Sequence, residues 1–170
     1  NKDGTWNIRT EKGDIHTEWV VNAAGLWGRE VGRMANINLP LQPTEHQYFV
    51  TDTIDEIKNL NYRLPSVADR DGEYYLRQEG KGLLIGAYEK NFKLWAEGDT
   101  PNDFGHDLFD DDLERIEENI LRAMERVPIA GSAGIKRVIN GPMIWSPDSN
   151  VLFGPIPELK NYFCCNPKKN

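Results

Sequence analysis

Few side chains in this 170-residue chain have the type and spacing of a self-contained catalytic site. The three histidines, His16, His46 and His106, lie far apart in the sequence. The adjacent cysteines Cys164 and Cys165 lack the spacing of a zinc site. The sequence contains no dinucleotide-binding glycine fingerprint, phosphate-binding loop or serine elbow. Spacing alone therefore identifies no reaction, and it indicates only a soluble chain of mixed α/β type.

The composition excludes several classes of protein. The net charge is −7 and no stripe of Lys and Arg stands out, since the basic ending at residues 167–170 is too short to count as one. We therefore expect no nucleic-acid binding. No apolar run reaches the roughly 18 residues of a membrane helix. Adjacent cysteines point to opposite faces of a strand, so we expect no disulfide and a reducing compartment.

The first part of the chain has the pattern of a hairpin. Alternating apolar and polar residues predict a strand at residues 6–9, a turn at 11–14 and a second strand at 15–21. Small residues follow at 22–25, where the backbone can lie close to another group. Apolar residues at helical spacing then predict a short helix at 27–35.

The middle of the chain is typical of β-structure. Residues 46–52 are rich in aromatic and β-branched side chains, which predicts a strand. Two further strands are expected at 73–78 and 83–88, joined by a hairpin loop at 79–82. Residues 89–109 show no clear pattern.

The clearest helix is predicted at residues 113–127, where apolar residues recur at helical spacing. Acidic residues at its start, basic residues near its end and Pro128 after it agree with the helix dipole and a stop signal. Asp111 and Glu114 have the spacing of a capping box. We expect a surface helix that packs on a sheet.

The last part of the chain is predicted to form short strands. Residues 135–145 alternate as a strand that we expect to break at Gly141 and Pro142. A turn is predicted at 146–149. Two short apolar runs follow at 151–153 and 162–165.

Four blocks of this sequence resemble the D-amino-acid-oxidase and glycine-oxidase type of flavoprotein, and among these the dimethylglycine and sarcosine dehydrogenases. The blocks lie at residues 20–27, 43–48, 74–89 and 140–155. They occur in the family's order with similar spacing, and the resemblance extends over roughly residues 4–166.

The resemblance implies an internal part of a longer FAD enzyme. The family's glycine-rich βαβ unit, and the histidine that carries covalent FAD in related enzymes, would precede residue 1. A further glycine-rich segment would follow residue 166, as would a folate-binding region that admits tetrahydrofolate as a second cofactor. Because the pyrophosphate turn supplies the main anion site, we expect the isolated chain to bind FAD weakly or not at all and to be inactive.

His46 is the first catalytic candidate, since the resemblance places a histidine here near the flavin and facing the substrate amine. Oxidation needs a neutral amine before hydride leaves the methyl or methylene carbon. A group that titrates near neutrality can take up that proton. The alternative is a structural histidine at a strand end or in the core.

Tyr75 is the second catalytic candidate, because the family has a catalytic tyrosine in this strand. Its phenol could hold a substrate carboxylate or share a proton with the histidine, and a cross-strand aromatic pair is the structural alternative. Arg77 shares its face and could bind a substrate carboxylate, unless it is an outward, solvated arginine. Tyr74, which we expect on the opposite face, is the other candidate for substrate binding.

Six residues are candidates for the cofactor side, because the first and last blocks pass near the flavin in the family. Small side chains there would let a flat cofactor lie against the backbone. The alternatives are core packing for the tryptophan and a simple strand end for the glycine–proline pair. The candidates are Ala24, Gly25, Trp27, Gly141, Pro142 and Asp148.

The expected fold is α+β. Residues 37–135 would form a substrate domain, an antiparallel sheet with a packed helix, while residues 1–36 and 136–170 would belong to a Rossmann-like FAD-binding domain. The expected function is oxidative demethylation of dimethylglycine or sarcosine by hydride transfer to flavin. Two alternatives stay open: a related amino-acid or amine oxidase of the same fold, and a non-catalytic subunit or binding module.

The expected partners follow from the same resemblance. They are a small amino-acid substrate and either an electron-acceptor protein or oxygen, with no metal, nucleic acid or membrane span. The expected location is the cytoplasm in a bacterium or the mitochondrial matrix in a eukaryote.

Overall fold

The computed structural model describes residues 1–166 and divides the chain into two compact units. Unit 1 contains Asn1–Pro43, Ala96–Asp103 and the chain from Met143 onward, and unit 2 contains Thr44–Trp95 and Phe104–Pro142. The basic ending at residues 167–170 lies outside the described residues.

Unit 1 begins with an antiparallel hairpin. Strand β1 (Trp6–Thr10) pairs with β2 (Gly13–Thr17), and Ile8 lies opposite Ile15. Gly13 closes the turn with a φ of 127°, a conformation that side chains other than glycine's rarely permit. The hairpin predicted from the alternation is therefore confirmed.

The strand predicted at residues 15–21 is wrong in its continuity. It is divided into β2 and a separate strand β3 (Val20–Asn22). The Thr17 hydroxyl donates to the carbonyl of Trp19 at 3.1 Å and accepts from the Trp19 amide at 3.4 Å. These local bonds compete with the ladder and end the strand.

The predicted short helix is confirmed as a 3-10 turn, Gly25–Trp27, followed by α1 (Gly28–Met34). Helix α1 does not bury its predicted apolar face, since Met34 is exposed. A Cβ on Gly32 would lie 3.0 Å from the Leu39 side chain, so the missing side chain lets the following segment pack on the helix. The residues that α1 buries are Gly28, Arg29 and Gly32.

A three-stranded sheet completes unit 1. Strand β10 (Tyr162–Asn166) lies in the middle, parallel to β3 and antiparallel to β9 (Leu152–Pro155). Cys164 is buried and Cys165 is half-buried, and both are free, as the adjacent spacing predicted. The buried core of this unit consists of Leu39, Leu41, Ile144, Tyr162 and Cys164.

Unit 2 is built on a five-stranded sheet with the order β5-β6-β7-β4-β8. The strands at 74–79 and 82–87 confirm the predicted hairpin, and β4 begins four residues before its predicted start. The pairs β4–β7, β5–β6 and β6–β7 are antiparallel. The strands are β4 (Gln42–Thr51), β5 (Val67–Asp69), β6 (Tyr74–Glu79), β7 (Gly82–Ala87) and β8 (Ile135–Trp145).

Four helical segments accompany this sheet: a short α2 (Asp55–Lys58), a 3-10 turn at Glu114–Ile116, α3 (Glu117–Arg126) and a second 3-10 turn at Pro128–Gly131. Helix α3 packs on β6 and β7, as predicted for an amphipathic surface helix. Together they enclose the main core, whose buried residues include Phe49, Tyr74, Leu76, Leu83, Ile85 and Ala123.

The predicted capping box at the start of this helix is wrong. The chain first forms a 3-10 turn at Glu114–Ile116, and the α-helical N-cap is Ile116, which makes no side-chain cap bond. Asp112 binds Arg115 instead, with the Nε donating to the carboxylate at 3.0 Å. Of the acidic residues at this start, Asp112 therefore takes part in a local ion pair with Arg115, three residues later.

The predicted break in the strand at residues 135–145 is also wrong, because β8 continues through Gly141 and Pro142. Proline has no N–H to donate, so it weakens a strand between two neighbours. Strand β8 is the last in the sheet order, and an edge strand tolerates the missing donor. The turn predicted at 146–149 is present.

The segment that had no clear pattern contributes an isolated bridge between Thr44 and Leu94. In unit 2, Trp95 packs against Phe104 and Phe109, with ring centroids 4.6 and 5.2 Å away. Within residues 1–166, no helix has both the length and the apolar character required to cross a membrane.

Phe49→Ala should lower the free energy of unfolding by about 3–5 kcal/mol, because it leaves a cavity in the main core. Phe49 is 1% exposed and packs between the sheet and α3. Leu121→Ala in α3 is the control. Leu121 is 55% exposed, so this change should alter the free energy of unfolding by less than about 0.5 kcal/mol. Equal losses in chemical denaturation would contradict this packing.

Candidate active site

The sheet of unit 2 has two chemically different faces. The register places Tyr48 opposite Gly86 and Tyr75 opposite Gly86, so these three residues form one row across β4, β7 and β6. Neighbouring residues in a strand point to opposite sides, and Phe49 and Ile85 point into the core. The row therefore lies on the face away from α3, together with His46 two residues earlier in β4.

Three side chains meet on this face and form the His46–Tyr75–Tyr88 cluster. The Nε2 of His46 lies 3.3 Å from the Tyr75 hydroxyl oxygen. The ring of Tyr88 lies 5.2 Å from the His46 ring and 5.3 Å from the Tyr75 ring, measured between centroids. His46, Tyr75 and Tyr88 are all half-buried, so the cluster is partly open to solvent. The structure thus brings the two predicted catalytic candidates into hydrogen-bonding contact.

Gly86 makes room for the Tyr75 ring. A Cβ at this position would lie 2.1 Å from Tyr75 Cζ and 2.3 Å from its hydroxyl oxygen. The ring of Tyr75 therefore lies directly across the backbone of β7, which only a glycine allows.

Burial controls the protonation of the two phenols. Desolvation, reinforced by the neighbouring Tyr88 and Tyr48 hydroxyls, raises the pKa of Tyr75 strongly, and Arg77 opposes this only in part. Desolvation also raises the pKa of Tyr88. Both phenols consequently stay protonated at neutral pH and act as hydrogen-bond donors. Tyr75 can donate to Nε2 of a neutral His46 imidazole.

The two candidates for substrate binding lie in different surroundings. Arg77 is on the face of Tyr75, as expected, and its guanidinium donates to Glu79 at 2.7 Å. Tyr74 is a core residue on the opposite face. Burial, then the Asp69 carboxylate, raises the pKa of Tyr74, so its hydroxyl is a structural donor to Asp69. Tyr74 is therefore removed from the candidate site.

Tyr88 is a member of the cluster that the sequence reasoning missed. It follows the last residue of β7, and its backbone amide donates to the carbonyl of Glu73 at 2.8 Å, which continues the hairpin pairing. The family-like block at residues 74–89 contained Tyr88, but only the β4–β7 register of the structure, extended by two residues, pairs it with His46.

The cofactor-side candidates in unit 1 form an open segment after β3. Gly25 has a φ of 56°, and no atom lies within 4 Å of the position that a Cβ would occupy. Ala23 is exposed and Ala24 is half-buried. Trp27 is anchored by its indole N–H, which donates to the Pro101 carbonyl at 3.0 Å. Small residues and an open backbone suit close contact with a flat cofactor.

The remaining cofactor-side candidates lie elsewhere in the chain. Gly141 and Pro142 are within β8, whereas Asp148 is in the turn that follows it. The Asn150 amide donates to the Asp148 carboxylate at 3.0 Å, and this bond, with others from Asn150 and Ser146, lowers the pKa of Asp148. Asp148 therefore stabilises its own turn. No cluster of metal-ligating side chains occurs among residues 1–166.

Comparison with known proteins identifies the family. The family model described as FAD dependent oxidoreductase, DAO, matches residues 1–167. The chain belongs to this family. The resemblance predicted from the four sequence blocks is thus confirmed, and so is the mixed fold with antiparallel sheets.

Two curated relatives make the resemblance specific. The chain is 46% identical over 166 residues to human mitochondrial dimethylglycine dehydrogenase, which covers 95% of this chain and 19% of that protein. It is 40% identical to mouse mitochondrial sarcosine dehydrogenase, which covers 92% of this chain and 16% of the relative. The chain therefore spans less than a fifth of the length of these relatives.

A solved structure has a similar fold. The crystal structure of L-proline dehydrogenase from P. horikoshii superposes with a TM-score of 0.68 at 27% identity. The match covers 95% of this chain and 40% of that one.

Gly86→Ala tests the close contact in this DAO-family sheet. We expect it to lower the free energy of unfolding by about 1–3 kcal/mol, because the added methyl group overlaps the Tyr75 ring. In a Tyr75→Ala background the ring is absent, so the same change should cost less, with a coupling energy of about 0.5–3 kcal/mol.

Gly105→Ala is the matched control for Gly86→Ala, since no atom lies within 4 Å of its Cβ position. Chemical denaturation of the four variants and the parent protein gives the cycle. An equal cost of Gly86→Ala in both backgrounds would contradict the contact.

Proposed function

We propose that the full-length protein oxidatively demethylates an N-methylated amino acid, with dimethylglycine and sarcosine as the substrate class. The His46–Tyr75–Tyr88 cluster is the observation that carries this proposal. It combines an imidazole with two protonated phenols on a half-buried face. Sequence identity to two dehydrogenases of N-methylglycines supports the same substrate class.

His46 is proposed to take up the proton of the substrate ammonium group. A protonated amine has no free electron pair to assist departure of hydride, so deprotonation must come first. Tyr75 stays protonated, so it is not the base, and its hydroxyl can donate to or accept from His46 according to the imidazole tautomer. Tyr75 or Tyr88 can also donate to the substrate carboxylate, and Arg77 would need to exchange Glu79 for it.

FAD is the oxidant that this family implies, and when bound it accepts hydride from the carbon next to nitrogen. The C–H bond would break with its electron pair to leave an iminium on the substrate, which water would convert to formaldehyde and the demethylated amine. Tetrahydrofolate is the alternative acceptor that we propose for the one-carbon unit. An acceptor protein or oxygen would then reoxidise the enzyme.

Ala24 and Gly25 are the residues of this chain proposed to lie against FAD, because their segment is small and open. Gly141, Pro142, Asp148 and Trp27 stay secondary candidates. We further propose that unit 2 is the core of the substrate domain, expected at residues 37–135, and that unit 1 belongs to the FAD-binding domain.

The proposed location follows the same relatives, whose names are mitochondrial. In a eukaryote the protein would act in the matrix, and in a bacterium it would act in the cytoplasm. A cyclic secondary amine such as proline is the second candidate substrate, because the fold is similar to that of a proline dehydrogenase at 27% identity.

His46→Ala in the full-length protein should lower kcat by about 10²–10⁴-fold, the usual contribution of a group that transfers a proton. Tyr75→Phe removes a hydrogen bond and no base, so it should lower kcat less, by about 10–10²-fold, since a hydrogen bond to a charged group contributes about 1.5–3 kcal/mol. Flavin reduction is measured by stopped-flow absorbance with dimethylglycine, sarcosine, proline and glycine. The greatest kcat/KM is expected with the N-methylated glycines.

His106→Ala and Tyr62→Phe are matched controls, because both side chains are exposed. They should change kcat by less than about twofold. If the cluster variants retain full turnover on every amine, the catalytic assignment is wrong. If the wild-type enzyme prefers proline, the proposed substrate class is wrong, but the catalytic assignment of the His46–Tyr75–Tyr88 cluster stands.

A further inference from the structure

A buried ion cluster lies next to the catalytic candidates in sequence. Its centre is Arg115, whose side chain is 9% exposed. Its carboxylate partners include Glu45, which directly precedes His46, and Glu89, which directly follows Tyr88. The side chains of these glutamates are 7% and 5% exposed.

Each nitrogen of the guanidinium has its own carboxylate. Nη1 donates to Glu89 at 2.8 Å, Nη2 lies 3.4 Å from Glu45, and Nε donates to Asp112 at 3.0 Å. A planar guanidinium holds such partners in a fixed geometry, which the single nitrogen of a lysine cannot reproduce. Arg115 thus connects strand β4, the end of β7 and the start of the α3 segment.

Both glutamates depend on this environment. Glu45 also receives Lys93 Nζ at 2.8 Å and Asn140 Nδ2 at 3.0 Å, so it is held from three sides. Burial raises the pKa of Glu89, and the positive charge of Arg115 counteracts this. Buried ion pairs of this kind contribute little net stability, because desolvation offsets their attraction, so their better-supported effect is to select one arrangement.

That arrangement matters because the backbone pairing of β4 with β7 ends just before His46 and Tyr88. The paired residues of β4 and β7 run from Val50 opposite Leu84 to Tyr48 opposite Gly86. His46 and Tyr88 lie two residues beyond this end, yet their rings stack at 5.2 Å. The Glu45–Arg115–Glu89 bridge joins the two segments at this point.

We propose that Arg115 is a positioning residue for the reaction, which holds His46 and Tyr88 side by side by binding the glutamates adjacent to each. Its kinetic consequence rests on the proposed function, whereas its geometric consequence does not. Arg115 binds Glu45, Glu89 and Asp112, so its removal should lower turnover through the displacement of His46.

The test compares Arg115→Met and Arg115→Lys in the full-length holoenzyme. Both should lower kcat by about tenfold to a hundredfold, the cost of misplacing a catalytic group by about 1 Å. KM for dimethylglycine should change by less than about threefold, because Tyr75, which can hold the substrate carboxylate in place of Tyr88, lies in β6 and not in the two bridged segments. Arg115→Lys keeps the positive charge, so the thermal midpoint of this variant should be closer to wild type than that of Arg115→Met. Its kcat should nevertheless stay low.

Arg126→Met is the matched control, an arginine on α3 that is 73% exposed and lies 4.0 Å from Asp69. It should leave kcat within about twofold of wild type. A merely structural role for Arg115 predicts a different pattern, in which lysine restores kcat together with the thermal midpoint. That pattern, or unchanged kcat in Arg115→Met, would overturn the proposal.

Crystal structures of the wild-type and Arg115→Lys holoenzymes supply a readout without turnover. We expect the distance between the His46 and Tyr88 ring centroids to increase from 5.2 Å in the variant. An unchanged distance refutes the bridge even if the enzyme is active. If wild type oxidises none of the amines, the proposed function fails, but the ring separation still decides the role of Arg115.

Discussion

The alternating register of β4, β7 and β6 is the constraint on which the rest of unit 2 depends. One parity of residues sends Phe49, Leu76 and Ile85 into the core beneath α3, and the other sends His46 and Tyr75 to the opposite face. Because the period of a strand is two, a slip by one residue would exchange these sets. The register that forms the core therefore also assembles the His46–Tyr75–Tyr88 cluster.

The same register makes one glycine indispensable to the cluster. Gly86 lies opposite both Tyr48 and Tyr75, and its missing side chain is the space that the Tyr75 ring fills. A ring laid across a strand loses contact with water, so its pKa rises and the hydroxyl remains a donor. Gly86 thereby affects the protonation of Tyr75, because it allows the close packing that removes the phenol from water.

Local pattern was sufficient for the strands of the hairpin, for the surface helix and for the opposite directions of Tyr74 and Tyr75. It failed where a tertiary partner competed with a local rule. The predicted Asp111–Glu114 capping box gives way to a 3-10 turn whose Arg115 binds the distant Glu45 and Glu89, and Pro142 stays in a strand because that strand is at an edge. The His46–Tyr75 contact joins residues 29 positions apart, which periodicity cannot pair. Family resemblance supplied it, and Tyr88 and Arg115 were missed because only the strand register and the ion pairs bring them to the site.

Oxidation of an amine separates two tasks that need opposite kinds of residue. A proton acceptor requires a titratable side chain held in a defined place, and unit 2 has His46 between two phenols with a charged bridge beside it. Close contact with a flat oxidant requires that side chains be absent, and unit 1 has Ala24 and the open backbone of Gly25. If the proposed function is correct, unit 2 supplies reactive side chains around His46, whereas unit 1 supplies a segment at Ala24 and Gly25 whose small side chains leave room for the cofactor.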